Sequence, residues 1–119
     1  MPIFIKTEKF KEKTLELTNN ERKKFLLMHK EWVKETYKSG HFIHSGYLIN
    51  EKKMPGGGGL LIIEAKDYLT AKKIIENDPM IKNNLGNWDL QEWISIDGRQ
   101  QKFYYHLGGD IINFLTSPA

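Results

Sequence analysis

An α+β domain of ferredoxin-like type, with elements in the order β-α-β-β-α-β, follows from three observations on the sequence. Apolar residues recur at helical spacing over residues 25–37, and again more briefly over 68–77. Four apolar and aromatic stretches, residues 2–7, 41–49, 60–65 and 87–96, lie where a split βαβ unit needs its strands. Capping residues, glycine and proline punctuate the junctions between them.

Residues 2–7 read as the first strand, Ile3 and Ile5 facing one way and Phe4 the other. Residues 10–17 fit either an extension of that strand or a connecting loop. Thr18 and Glu21 then form a T-x-x-E capping box, in which each side chain satisfies a backbone N–H at a helix start. The helix runs over 19–39. At about 100° per residue, Met28, Trp32, Phe25, Thr36, His29, Val33, Leu26 and Tyr37 fall on one arc, with lysines and glutamates outside it or at its edges. His29 thus sits near the middle of the buried face, where an imidazole is not needed for solubility. Gly40 suits the left-handed position just past the helix end.

Residues 41–49 form the second strand and 51–59 its turn. The run Gly56-Gly57-Gly58-Gly59 lacks a following Gly-Lys-Ser/Thr and precedes a strand instead of a helix, so a flexible hairpin loop is expected and a phosphate-binding loop is not. Residues 60–65 are nearly all apolar, as in a central strand buried on both faces. Asp67 can cap a second helix over 68–77, with Ala71, Ile74 and Ile75 inward. Pro79 ends it, because the residue before proline is pushed out of helical geometry, and a short turn spans 79–84. In the fourth strand, 87–96, Trp88, Leu90, Ile94 and Ile96 share one face and Trp93 takes the other. The domain so defined covers residues 1–96. Residues 97–119 are a C-terminal extension, too apolar around Phe103, Tyr104, Tyr105, Ile111, Ile112 and Phe114 to stay free in water, and expected to pack on this domain or a partner subunit.

Composition narrows the functional classes. The net charge of +3 is spread over lysines interleaved with glutamates, which argues against nucleic acid as partner. With no cysteine, disulfides, thiolate catalysis and zinc–sulfur sites are excluded. His41 and His44, three apart on one strand, point to opposite faces and cannot share a metal; His106 lies in the extension with no partner to name, and no Asp/Glu/His cluster suggests a metal site. No apolar stretch has the length of a signal peptide or a membrane span, so the expectation is a cytoplasmic protein with no membrane partner.

In order and spacing, these residues resemble the YCII-related family of small dimeric α+β barrel proteins. The matching pattern begins with His29, Gly40, Phe42-Ile43 and Gly46. It continues through Gly58-Gly59-Leu60-Leu61-Ile62 and Glu64-Ala65 to Ile75-Glu76-Asn77-Asp78-Pro79. Ile81-Lys82 and Trp88-Asp89-Leu90-Gln91-Glu92-Trp93 close it, so that residues 2–96 are covered. The resemblance implies a homodimer formed through the sheet face, a cavity for a small-molecule ligand, no cofactor, and a His–Asp dyad that falls by position on His29 and Asp78. Its characterised relatives include a dehydrochlorinase of a chlorinated hydroxyquinol. This chain departs from the pattern at Tyr47, where the family commonly has proline, in the long link from first strand to first helix, and in the extension.

Asp78 falls one helical turn beyond Ile74 and continues the inner face of the second helix, so it can meet His29 across the packed helices. A carboxylate that accepts one ring N–H fixes the imidazole tautomer and leaves the other nitrogen to move a proton. His29 is therefore the candidate general acid/base and Asp78 its orienting partner, suited to elimination, isomerisation or tautomerisation of a small cyclic or enolisable substrate. The bland alternative is equally concrete: Asp78-Pro79 is also a good helix start, and His29 is then a core histidine held by a structural bond. His44, Gly46, Tyr47 and Trp32 are the candidate substrate contacts, although aromatics at helical or strand period more often build core or interface, and Trp93 suits the interface. A non-catalytic ligand-binding homodimer would use the same pocket; the resemblance to dimeric α+β barrels, which include cofactorless oxygenases of quinol-like compounds, implies a third reading.

Overall fold

The computed structural model describes residues 1–98. Strand β1 (Ile3–Phe10) is followed by a one-turn helix, α1 (Glu12–Leu15), and the long helix α2 (Asn19–Lys38). The hairpin β2 (Ile43–Ile49) and β3 (Pro55–Glu64) comes next, then α3 (Tyr68–Ile75), the short α4 (Pro79–Lys82) and β4 (Gly86–Trp93). All pairings are antiparallel in the order β2-β3-β1-β4. This is the ferredoxin-like arrangement expected from the sequence, with β1 and β3 central.

The strand register sorts the side chains. Phe4 lies opposite Ile63 and Glu92, and Lys6 opposite Leu61 and Leu90; Ile43 and Ser45 continue the same rows on β2. That face carries the core, where Phe4, Leu61, Ile63, Ala71 and Ile75 are fully buried and Leu90 and Trp32 nearly so. Ile3, Ile5, Ile62 and Leu60 share the opposite face with His44 and Trp93. There the apolar residues are only half-buried, and Trp93 is 45% exposed. Such a face on the described residues has apolar surface to spare.

Local chemistry sets the boundaries. Thr18 accepts from the Glu21 N–H while the Glu21 carboxylate accepts from the Thr18 N–H, completing the capping box of α2. Gly40, at φ +104°, takes the left-handed turn after the helix. Asp67 caps α3 through the Thr70 N–H. The ambiguous residues 10–17 become the end of β1 and α1, which is pinned when the Thr14 hydroxyl donates to the Leu85 carbonyl.

Several expected boundaries shift: β1 runs on past residue 7 to Phe10, β2 starts at Ile43 and not at 41, and three further differences concern the later elements. The glycine run is not a hairpin loop: residues 56–59 lie inside β3, Gly58 opposite Lys9 and Gly59 opposite both Glu8 and Tyr47. A Cβ at Gly58 would overlap the Glu8 carbonyl oxygen, so the absent side chain lets the two central strands approach. The turn itself is residues 50–54, where the Asn50 side chain accepts from the N–H groups of Lys52 and Met54. Helix α3 ends at Ile75, before Asn77. Strand β4 ends at Trp93; Ile94 and Ile96 lie beyond it, exposed, and not on the Trp88–Leu90 face. The expected packing of residues 99–119, with His106, falls outside the described residues.

Substituting Gly58→Ala should destabilise the fold by about 1–3 kcal/mol, because β1 and β3 must part to admit a methyl group. Urea unfolding checks this; an unchanged midpoint would contradict the close approach.

Candidate functional site

Four elements bring their side chains to one point beneath α2. His29 comes from the third turn of α2, Lys6 from β1 and Ser45 from β2. Asp78 comes from the α3–α4 junction, in extended geometry (φ −60°, ψ 126°) with Pro79 at the first position of α4. The expectation that Asp78 extends the inner face of the second helix is thus corrected: the helix has already ended, and Asp78 arrives as the N-cap of the next turn. Its capping bond, from the Met80 N–H to Oδ1 at 2.9 Å, coexists with the His29 contact. The structural and the functional readings of Asp78 are both satisfied by one carboxylate.

The geometry is a line. Asp78 Oδ1 stands 2.8 Å from His29 Nδ1, and His29 Nε2 stands 2.7 Å from the Ser45 hydroxyl. Behind it, Lys6 Nζ donates to Asp78 Oδ2 at 3.3 Å and to Glu8 Oε1 at 2.9 Å. The Asp78 side chain is 0% exposed, and those of Lys6 and Glu8 only 3% and 4%. Carboxylates so placed must be paired to remain ionised. Burial pushes the Asp78 carboxyl up, but the hydrogen bond and charge of His29, the Lys6 ammonium and the Met80 N–H together outweigh it and hold the group below its ordinary value of 3.8. Gly86 leaves room for this arrangement, since a Cβ there would overlap the Glu8 carboxylate.

The ionised Asp78 fixes the protons. A carboxylate only accepts, so Nδ1 of His29 must donate to it; in the neutral imidazole Nε2 is then a bare acceptor, and the Ser45 O–H donates to Nε2. The ring also lies against Trp32, with centroids 5.6 Å apart and planes tilted by 41°. His29 is held on two edges and one side, while its side chain remains 12% exposed toward a cleft.

That cleft has a volume of about 800 Å³, between α2 and the sheet. His29 and Ser45 reach it, as do Lys6 and Glu8 from beneath. Its walls are mainly apolar (Phe25, Val33, Ile43, Met80 and Leu85 among them), and Arg22, Lys30 and Lys34 stand along its α2 side. Of the expected substrate contacts, Gly46 and Tyr47 line the cleft. His44 does not: it pairs with Ile62 and shares the opposite sheet face with Ile5, as the alternation of a strand requires of a neighbour of Ser45. Trp32 belongs to the core cluster and touches the site through the flank of His29. His41 donates from Nδ1 to the Glu64 carbonyl at 3.1 Å, closing the hairpin start. Among the described residues no three metal-ligating side chains converge, and no helix is long and apolar enough to cross a membrane.

Lys6, Glu8 and Ser45 were not evident as site residues from the sequence. Charges on an alternating strand read as its solvated side, whereas here the row Phe4-Lys6-Glu8 is the buried one. Ser45 had one available signal, its shared parity with Ile43 on β2.

The family model for the YCII-related domain matches residues 3–94 of the chain. Among solved structures, the chain is similar to the 5-chloro-2-hydroxyhydroquinone dehydrochlorinase of Burkholderia phenoliruptrix AC1100, in complex with 2,5-dihydroxybenzoquinone. The TM-score is 0.57 at 22% identity, over 77% of this chain and 93% of that one. An antibiotic biosynthesis monooxygenase aligns with a TM-score of 0.51 at 12% identity, over 82% of this chain and 100% of that one. The de novo designed protein Ferredog-Diesel aligns at 0.50 and 18% identity, over 76% and 84%. At these identities the likeness is one of fold. No curated protein matches the chain.

The lowered Asp78 value has a thermodynamic consequence. A carboxyl held below 3.8 in the folded state stabilises the fold above that pH, and the contribution is lost as pH falls through the folded value. Asp78→Asn should therefore cost about 1.5–3 kcal/mol near neutrality, and the gap to wild type should close as the pH is lowered below 3.8. Denaturant titrations of both proteins between neutral and acid pH measure it; a gap that stays constant would contradict the ion-paired carboxylate.

Proposed function

The chain belongs to the YCII-related family, and we propose that it is a cofactor-independent enzyme that moves a proton on a small cyclic or enolisable substrate, by elimination, isomerisation or tautomerisation. The observation that carries this reading is the bond from His29 Nδ1 to a fully buried Asp78 at the base of an open cleft. His29 acts as general base and then acid through Nε2. Asp78 does not itself transfer the proton: it orients the ring and stabilises the imidazolium that forms. A proton leaving the substrate reaches Nε2 directly or by way of the Ser45 hydroxyl, which already donates there. The apolar walls lower the local polarity beside the reacting group and so strengthen these bonds. Tyr47 and Gly46, on the cleft edge, contact the substrate.

The protein acts as a homodimer that joins through the open sheet face. Half-buried Ile3, Ile5, Leu60 and Ile62, with Trp93 beside them, supply the apolar surface. Dimerisation leaves the His29 cleft, on the other face, free for a small molecule. The second reading is a non-catalytic homodimer that only holds a ligand, favoured by the extent of the apolar lining, which is sufficient for binding without chemistry.

His29→Asn separates the two. Deuterium exchange into enolisable 1,3-diketones and halide release from chlorinated hydroquinols are the readouts, with calorimetry for ligand affinity. Catalysis predicts a fall of about 100- to 10,000-fold in rate with affinity nearly kept. A wild-type protein that binds these compounds and turns over none of them would establish the binding reading instead. For the assembly, Ile5→Lys should convert dimer to monomer in sedimentation velocity; a wild-type protein already monomeric at micromolar concentration would contradict the sheet-face dimer.

A further inference from the structure

We propose that Ser45 is an activated nucleophile, and that the cleft accordingly accepts esters or thioesters of apolar acids and forms an acyl-enzyme on Ser45. This rests on the same His29–Asp78 pair as the proton-transfer reading but requires more of it. The motivating geometry is the unbroken line from Asp78 Oδ1 to His29 Nδ1 at 2.8 Å and from His29 Nε2 to Ser45 Oγ at 2.7 Å. Nucleophile, base and orienting carboxylate, each within hydrogen-bond reach of the next, are the parts that hydroxyl nucleophiles need on any fold. The direction of the protons also agrees. Because the ionised Asp78 forces Nδ1 to donate, Nε2 of the neutral ring must accept, and the Ser45 proton already points at the group that would remove it.

Ser45 is positioned for access as well. It lines the cleft, whereas Asp78 is sealed beneath it. The hydroxyl comes from a regular strand, β2, and its partner from a helix bound at its start by a complete capping box. Rigid elements of this kind hold a nucleophile and its base in register. Among the described residues the lining contains one carboxylate, Glu8, and that group is bound to Lys6; among those same residues Arg22, Lys30 and Lys34 add positive charge that no second lining carboxylate balances. An acyl substrate with an anionic group near its carbonyl, and an apolar body against Phe25 and Val33, fits that distribution.

The step balances without redox chemistry. Ser45 Oγ bonds to the acyl carbon as its proton passes to His29 Nε2. The C–O or C–S bond to the leaving group breaks, and the leaving alcohol or thiol takes that proton. Water then gives a proton to Nε2 and adds as hydroxide to the acyl carbon; the Ser45 ester bond breaks, and Oγ recovers the proton, releasing the acid.

The experiment is covalent labelling of the full chain with phenylmethylsulfonyl fluoride, followed by tryptic mass spectrometry. The peptide of residues 39–52 should gain one sulfonyl group, and fragmentation should place it on Ser45 and not on Ser39 or Tyr47. His29→Asn, checked for native circular dichroism, should slow labelling about 100-fold or more. His29→Gln serves as a second variant if the first does not fold. With 4-nitrophenyl butyrate, wild type should release nitrophenolate in a burst of one equivalent per chain. A native wild-type protein that gains no label on Ser45, or one whose Ser45 label forms equally fast without His29, overturns the proposal. If labelling fails while deuterium exchange into diketones proceeds, the nucleophile falls and the proton-transfer reading stands. If Ser45 is labelled and no exchange occurs, the nucleophile stands and the proton-transfer reading falls.

Discussion

A carboxylate that water cannot reach is the constraint on which this structure turns. Asp78 is fully buried, and an ionised group there is tolerable only if its oxygens are occupied. Three partners from three elements occupy them: His29 of α2, Lys6 of β1 and the Met80 N–H of α4. Each partner thereby inherits a fixed position. The carboxylate sets which nitrogen of His29 carries hydrogen and aims the other at Ser45, and it keeps the Lys6 side chain inside a sheet that would otherwise expel it. Removing one member leaves the rest buried and uncompensated, which costs more than the pair contributes when intact. Fold and site are therefore not separable layers here.

The sheet divides its labour by parity. Even positions of β1 (Phe4, Lys6, Glu8) build the core and the floor of the cleft, and odd positions (Ile3, Ile5) build the face proposed for the partner. On β2 the same alternation separates Ser45, beneath His29, from His44 on the far side. One ligand cannot reach both. The alternation explains why the site is compact, drawing from each strand only the residues of one parity.

Much of this was legible in the sequence, and what was not has identifiable physical reasons. The capping box at Thr18 and Glu21, the glycine after α2 and the cap at Asp67 depend on interactions within four residues, so they can be read locally. The His29–Asp78 contact was legible in outcome but not in cause, since Asp78 reaches His29 from a cap and not from a continuing helix. The glycine run misled because flexibility and close packing use the same residue; only the carbonyl of Glu8, fifty positions away, decides that Gly58 belongs to a strand. Lys6 and Glu8 were not legible for a related reason. Their charges suggest solvent until a third charge, Asp78, supplies the counterpart. Ser45 carries little local signal beyond its parity, because a serine on a strand acquires meaning only from the imidazole above it.

The irregularity in the β2–β3 ladder has a consequence of its own. Pairing is regular from Ile43 to Tyr47, and the register shifts only between Tyr47 and Ile49, next to the turn at residues 50–54. A one-residue slip of β2 would turn Ser45 away from His29 and bring His44 in, exchanging a hydroxyl for a second imidazole. The shift in register stands between that outcome and the turn, taking up slack in the chain before it reaches the paired residues. The register at the hairpin tip is thereby separated from that of the residues beneath His29, although Pro55 at the tip still lines the cleft. The tip is the place where this protein can gain residues, by drift or by engineering, while the floor beneath His29 keeps its phase.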